Sequence, residues 1–431
     1  MSHICLNMIV KNEAAVIRRC LATVKPWVDY WVIVDTGSSD GTQDIVRDCM
    51  QGVPGELHER PWCNFGHNRS EALDLAKAHG DYLLFIDADE VLRMPEGFRW
   101  PTLTADGYRL RCEYGGWHYL RSQLIATRLP WRWQGVLHEY LTCDLPHAWQ
   151  LLPGPEIVVA HDGARARDPH TYLRDIEVLE RALQDEPGNG RYVFYLAQSY
   201  RDAAPLAEDK RAQYQERAIA WFRRRVEMGG WDEEVWFSVY QIAVIGEAMG
   251  IDAGEVSRRY LAAYQLRPTR AEPLHQLARF HRLRGEYALA HLYARQAIAI
   301  AYPQDTLFVD ASVYAWRALD ELSVAAYYLT QPQARAEGIT ALEKLWAERQ
   351  FPESERERIV ANRAFYGMEP APDSASQPAD RRSATASPFV AAAFSPSLSP
   401  YIASATAISQ ERQRYAPIAA GITKTQGKVL S

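Results

Sequence analysis

The chain has 431 residues, 47% of them apolar or aromatic, and a formal net charge of −6. That length suits two or three domains of roughly 100–200 residues each, and an acidic balance without a long Lys/Arg block excludes a protein devoted to the phosphate backbone of nucleic acids. No uninterrupted apolar segment approaches the roughly 20 residues needed to span a bilayer, and the start lacks the charge and length of a secretory signal, so a soluble, cytoplasmic protein is expected. Six cysteines (Cys5, Cys20, Cys49, Cys63, Cys112 and Cys143) include no C-x-x-C pair. Reduced, packing cysteines are therefore expected rather than a zinc site or a disulfide framework.

In chain order, Ile4–Val10 reads as a buried strand, and the spacing of Val16, Ile17, Cys20 and Leu21 predicts a helix from Glu13 to about Val24. Tyr30–Val34 is a second buried strand, closed by the turn-rich run from Asp35 to Gly41, with a helix from about Thr42 and Asp40 as its N-cap. A short strand at Leu57–Arg60 and a helix from Asn68 to His79 follow. Tyr82–Ile86 is then a strand running straight into Asp87-Ala88-Asp89-Glu90. Short apolar strands alternating with helices predict a mostly parallel sheet covered on both faces, a Rossmann-like nucleotide-binding architecture.

Residues 100–165 change style, with aromatic, Arg and Gly residues and β-like stretches at Gly107–Arg111 and Glu156–Ala160. The arginines crowded there (Arg99, Arg109, Arg111, Arg121, Arg128 and Arg132) fit either a basic patch or scattered ion pairs. From about Pro169 nearly everything reads as helix. Ala271–Tyr302 fits the tetratricopeptide pattern of about 34 residues, with Leu274, Leu277 and Ala278 at first-helix contacts and Ala290 and Ala297 at the small positions of the second. Arg191–Tyr200 resembles another first helix, with Ala218–Phe222 in its partner. After Gly367 the composition collapses into Pro, Ala and Ser, which predicts disorder. The expected division is an α/β domain over 1–165, an all-α helical-repeat domain over 166–367 and a disordered tail over 368–431.

Asp87 and Asp89 end an apolar strand, the edge at which open α/β sheets bind ligands. Two carboxylates there can hold Mg²⁺ or Mn²⁺ and leave positions for a diphosphate, although a surface turn can also read D-x-D. Asp35, at the end of the second strand, can accept hydrogen bonds from a nucleobase or ribose. Trp62, Trp117, Trp131 and Trp133 suit either stacking on a sugar or ordinary packing.

Met8-Ile9-Val10-Lys11-Asn12-Glu13, Val34-Asp35-Thr36-Gly37-Ser38-Ser39-Asp40-Gly41-Thr42 and Phe85-Ile86-Asp87-Ala88-Asp89-Glu90 together resemble glycosyltransferase family 2, with its GT-A fold. Pro61-Trp62-Cys63-Asn64-Phe65 with Arg69, Gly135-Val136-Leu137-His138-Glu139 and Ala160-His161-Asp162-Gly163 are similar to motifs of a subgroup that joins this domain to tetratricopeptide repeats. That subgroup includes peptide S-glycosyltransferases of bacteriocins. The resemblance implies that Ile9, Lys11, Asn12, Glu13 and Asp35 bind the uridine or other base of a nucleotide-sugar. It implies that Arg69 lies near the donor, that Asp87 and Asp89 form the metal and diphosphate site, and that His161 is a further metal contact. Glu139, in the segment expected to face the acceptor, is the candidate general base for inversion; a structural role beside His138 is the alternative.

Thr36 stands where many relatives carry a second Asp, and Ser70 follows Arg69 where Asn is common, so base recognition and the donor contact are open at these points. The expected activity is metal-dependent transfer from a UDP-sugar to a protein, peptide or glycan acceptor held partly on the repeats. The rival function is an adaptor whose α/β domain is catalytically silent.

Overall fold

The computed structural model describes residues 2–114 and 117–368. The segment expected to be disordered lies outside them except for Met368, and so does the side chain of Trp117. The chain divides into two compact units that meet between Trp221 and Phe222.

The first unit is built on β1 (Ile4–Val10), α1 (Ile17–Val24), β2 (Tyr30–Asp35), α2 (Thr42–Cys49), β3 (Gly55–Glu59), α3 (Phe65–Ala76) and β4 (Tyr82–Phe85). It continues through β5 (Glu90–Arg93), β6 (Gly107–Tyr114), β7 (Trp117–Ala126), β8 (Arg132–Gln134), β9 (Tyr140–Thr142) and β10 (Trp149–Val159). Eight strands form one sheet in the order β3-β2-β1-β4-β7-β6-β10-β5, and β8 and β9 make a separate ribbon. Strands β3, β2, β1 and β4 run parallel. Beyond β4, only β6 and β10 pair in parallel; β4–β7, β6–β7 and β10–β5 are antiparallel. The sheet is thus mostly parallel, with a mixed half supplied by β5 and by β6, β7 and β10 of residues 100–165.

Strand alternation sorts the core. Ile4, Leu6, Met8 and Val10 face one cluster with Ile17, Leu21, Val46 and Leu84, while Cys5, Leu83 and Phe85 face the other with Val32, Leu73 and Ile125. Asn7 interrupts the apolar run of β1 but is satisfied, because its amide donates to the Ala72 carbonyl of α3 at 2.8 Å. Two helix starts differ from their periodicity. The first begins at Ile17 because Glu13 contributes only its carbonyl, accepting from Val16 and Ile17. The third begins at Phe65, earlier than the spacing implies, because the Asn64 side chain accepts from His67 N at 2.8 Å and so caps it. At α2 the cap position belongs to Gly41 at φ 89°, while Asp40 just before it binds Thr42 N at 3.1 Å and Ala14 N at 3.0 Å.

Composition changes near residue 165, but the first compact unit runs further. After α4 (Ala164–Arg167), the helices α5 (Thr171–Asp185) and α6 (Gly190–Ala203) pack on each other and tie back to the sheet domain. Tyr192 Oη accepts from Val136 N at 3.1 Å, Arg191 donates to the His138 carbonyl at 2.9 Å, and the His138 ring stacks on Tyr195 with centroids 3.7 Å apart. Helix α7 (Arg211–Met228) contains the division between the units.

The second unit comprises successive antiparallel hairpins: α8 (Asp232–Ala248) with α9 (Ala253–Leu266), α10 (Glu272–Leu283) with α11 (Tyr287–Ile298), and α12 (Ala318–Tyr327) with α13 (Pro332–Glu348), followed by α14 (Arg356–Phe365). Leu274, Leu277, Ala278, Ala290 and Ala297 are all buried, as the repeat pattern requires. All six cysteines are free thiols, four of them buried. Among the described residues no helix is long and apolar enough to cross a membrane.

Leu83 is fully buried between the sheet and α3. Leu83→Ala is expected to lower the unfolding free energy by about 2–5 kcal/mol, read from urea denaturation; a loss below about 1 kcal/mol would contradict the packing described.

Candidate active site

Strand register brings the acidic residues together. Val10 lies beside Asp35, and Asn7 beside Phe85, so Asp87 follows level with the end of β1. The C-terminal ends of β1, β2 and β4 therefore share one edge, where the strand order reverses around β1.

Asp35 is fully buried. Its Oδ1 accepts from Gly37 N at 2.9 Å and Ser38 N at 2.8 Å, whereas Oδ2 is buried without a protein partner. An orphan carboxylate oxygen of this kind is costly unless something donates to it. Thr36 is absorbed into the backbone, donating to the Val10 carbonyl at 3.1 Å. Ile9 is half-buried and Lys11 exposed. Asn12 sits at φ 57°, accepting from Ser39 N at 2.8 Å, so it shapes the loop after β1.

At the centre is a chain of alternating charges. Glu139 Oε1 accepts from Arg69 Nε at 2.7 Å; Arg69 donates onward to Asp87 Oδ1 at 2.7 Å. Asp87 Oδ2 lies 3.9 Å from Arg121, which holds both oxygens of Glu90 at 2.6 and 2.5 Å. Glu90 closes the turn by accepting from Asp87 N at 2.9 Å. Desolvation by itself would raise the Asp87 pKa, but Arg69 and Arg121 hold it below the ordinary carboxylate range. Burial pushes Glu90 upward and Arg121 pulls it back; at these distances the pair stays ionic.

A second set of carboxylates makes no ion pair as close as these among the described residues, although Arg167 acts on Glu13 and His161 on Asp89 from further off. Burial, then the charge of Asp87, raises Asp89; the Gly163 N–H at 3.2 Å and the neighbouring His161 oppose this. Burial likewise lifts Glu13 to about 7 against the Ala164 N–H at 3.0 Å, with Asp89 adding to the rise. Segment 161–164 is strapped across these groups, and Arg19 secures it through Asp162 at 2.6 Å and the Asp89 carbonyl at 3.1 Å. His138 and His161 adopt φ 55° and 58°. Left-handed backbone at bulky residues is uncommon and concentrates at functional sites.

Asp87 and Asp89 offer hard oxygens of the kind a divalent cation takes, with His161 close enough to act on both. Burial first, and neighbouring carboxylates second, raise Glu13 and Asp89. Among the described residues no three His, Cys, Asp or Glu side chains come together as a group that could hold a metal ion, so Asp87, Asp89 and His161 are not assembled as one here.

The model of glycosyl transferase family 2 matches residues 5–95, the stretch that carries Asp35, Arg69, Asp87 and Asp89. A TPR repeat-containing protein of Synechococcus elongatus is 30% identical over 332 residues, spanning 70% of this chain and 76% of that protein. The chain belongs to glycosyl transferase family 2.

It is a glycosyltransferase with a helical-repeat region. Its other relatives include the SPbeta prophage-derived glycosyltransferase SunS of Bacillus subtilis, 24% identical over 48% of this chain and 50% of that protein. An uncharacterized glycosyltransferase of Rickettsia felis is 36% identical over 21% of this chain and 30% of that one. Crystal structures of S. aureus TarS (12% identity, 61% of this chain and 55% of that chain, TM-score 0.33) and of MamA (16% identity, 43% and 92%, TM-score 0.31) are more distantly similar.

Within this glycosyltransferase, Ile9 and Asp35 lie at the ends of β1 and β2 and Arg69 on α3, while Lys11, Asn12, Glu13, Asp87, Asp89, Glu139 and His161 lie in the connecting segments. Sequence reading passed over Arg121, Glu90 and Arg19 as partners. Ser70 has a structural role, its hydroxyl bonding both Trp133 O at 3.1 Å and Trp133 N at 3.0 Å. Trp131 and Trp133 are buried, the latter under Arg69 with 5.2 Å from guanidinium to ring, while Trp62 stays exposed. Five of the six crowded arginines have identified partners: Arg111, Arg128 and Arg132 pair with Glu156, Asp106 and Asp144, Arg121 with Glu90, and Arg109 lies buried over Trp149.

Arg121→Met would strand the Glu90 charge in the interior. A loss of about 3–5 kcal/mol of stability is expected, with partial recovery when Glu90→Gln is added. A denaturation double-mutant cycle without coupling would contradict the ion chain.

Proposed function

We propose that this glycosyltransferase transfers a sugar from a UDP-sugar to a protein, peptide or glycan acceptor with inversion at the anomeric carbon. The observation that carries the reading is the confluence of Asp35, at the end of β2, with Asp87 and Asp89, after β4, on the two sides of β1, with Arg69 between Asp87 and Glu139. Asp35, through its unpartnered Oδ2, would accept from the base or ribose, with Ile9, Lys11, Asn12 and Glu13 forming the adjoining wall. Arg69 would place its charge against the departing diphosphate. Glu139, two bonds along the same ion chain, would take the acceptor proton.

Asp87, Asp89 and His161 would hold Mn²⁺ or Mg²⁺, whose contribution when bound is to neutralise charge on the leaving nucleotide diphosphate. Residues 1–165 would then be the catalytic segment and the repeats of 166–367 a holder for the acceptor. The adaptor alternative is disfavoured by family membership and by the presence of Asp35, Asp87 and Asp89 at this edge.

A screen of nucleotide-sugars for donor hydrolysis, with and without Mn²⁺, tests this directly. Release of UDP from one sugar donor, dependent on the cation, is expected; no turnover with any donor would sink it. Asp89→Ala should lower kcat by about 100-fold or more while the protein stays folded by circular dichroism. Asp35→Asn should raise the donor KM by about 10-fold or more with a smaller effect on kcat. An unchanged KM would remove Asp35 from donor binding.

A further inference from the structure

The loop that carries Glu139 bends sharply twice, at Gly135 (φ 113°) and at His138 (φ 55°). Left-handed backbone at a residue with a bulky side chain costs free energy, so the turn at His138 depends on its neighbours. The start of α3 supplies one grip. Phe65 N and Gly66 N donate to the carbonyls of Val136 and Gly135 at 3.2 and 3.0 Å. Gly66 is required there, because a Cβ would stand 2.4 Å from the Gly135 carbonyl oxygen. The same helix presents Arg69, whose Nε donates to Glu139 at 2.7 Å.

A second grip comes from α6, a helix outside residues 1–165. The Asn189 side chain caps its first turn, accepting from Arg191 N at 3.1 Å and Tyr192 N at 3.2 Å. From that turn Tyr192 Oη accepts from Val136 N at 3.1 Å, and Arg191 Nε donates to the His138 carbonyl at 2.9 Å. One turn on, the Tyr195 ring lies flat against the His138 imidazole, with centroids 3.7 Å apart and planes 11° apart. The Arg191 guanidinium stands 4.9 Å from the Tyr195 ring and 5.1 Å from that of Tyr140. These contacts fall on the residues just before and after Glu139, whose own carboxylate is held by Arg69.

We propose that Arg191 and Tyr195 are positioning residues, which hold His138 in its left-handed turn and so aim the Glu139 carboxylate. A catalytic group displaced by about 1 Å can lose roughly 100-fold in rate, so contacts that fix its backbone act on turnover without touching substrate. The proposal rests on the reading of Glu139 as the general base. Full-length variants would be followed by UDP release from the UDP-sugar that the wild type hydrolyses, and by hydrogen–deuterium exchange of residues 135–140. Tyr195→Leu removes the stacked ring but keeps an apolar side chain. It should lower kcat about tenfold with the donor KM unchanged, and exchange in the segment should rise.

Tyr195→Phe keeps the ring and should recover most of the lost kcat, while Arg191→Met should act in the same direction as Tyr195→Leu. In a Glu139→Gln background Tyr195→Leu should lower kcat no further, because the carboxylate it positions is gone. A merely structural role would not give that result. Additive losses in this cycle, an effect of Tyr195→Leu on donor KM alone, or unchanged exchange in the segment would overturn the proposal. Wild-type kcat in Glu139→Gln, or no donor turnover in the wild type, would instead remove the base or the transfer reading. The exchange result would then decide whether α6 holds the loop.

Discussion

Five side chains of alternating sign, Glu139, Arg69, Asp87, Arg121 and Glu90, hold the mouth of this glycosyltransferase together. They come from α3, β7, the turn after β4, the start of β5 and the loop before β9. No two adjacent members of the chain belong to the same element. Asp87 is partly exposed, but the other four are largely buried, and each of these is tolerable because its neighbour carries the opposite charge, so removing a member leaves the next uncompensated. The active-site edge and the fold around it are therefore the same electrostatic object. Three carboxylates against two guanidiniums leave this chain net negative, on the side where Asp89 and Glu13 add more.

The second organising contact is the strap formed by residues 161–164. Its backbone N–H groups reach Asp89 and Glu13, while Asp162 is gripped by Arg19 of α1. Left-handed turns at Asn12, His138 and His161 bend three separate loops toward one another. Local backbone preference opposes these turns, so the hydrogen bonds around them must maintain them.

Helices α5 and α6 lie beyond the change of composition near residue 165 but in the first compact unit. They read as the beginning of a repeat array, yet Tyr192, Arg191 and Tyr195 bind and stack on the Val136–His138 loop. In doing so they brace the loop from which Glu139 projects. A helical pair that looks like part of the repeats is a structural support of the catalytic edge.

The sequence alone determined the strand–helix alternation, the order of the motifs and the identity of the acidic residues, because short-range periodicity and turn chemistry are written in adjacent positions. Ile4–Val10, Tyr30–Asp35 and Tyr82–Phe85 could be read almost to the residue, since continuous apolar runs bounded by turns admit little else. The repeat signature of Ala271–Tyr302 was legible for the same reason. The partners of those acids were decided only by tertiary structure. Nothing local says that Arg121 belongs to Glu90, that Asp162 belongs to Arg19 across the chain, or that Ser70 has become a backbone clamp instead of a donor contact. Those pairings depend on strand order and sheet curvature, which bring residues distant in sequence within hydrogen-bonding range, and a charge distant in sequence leaves no mark on the periodicity of its neighbours.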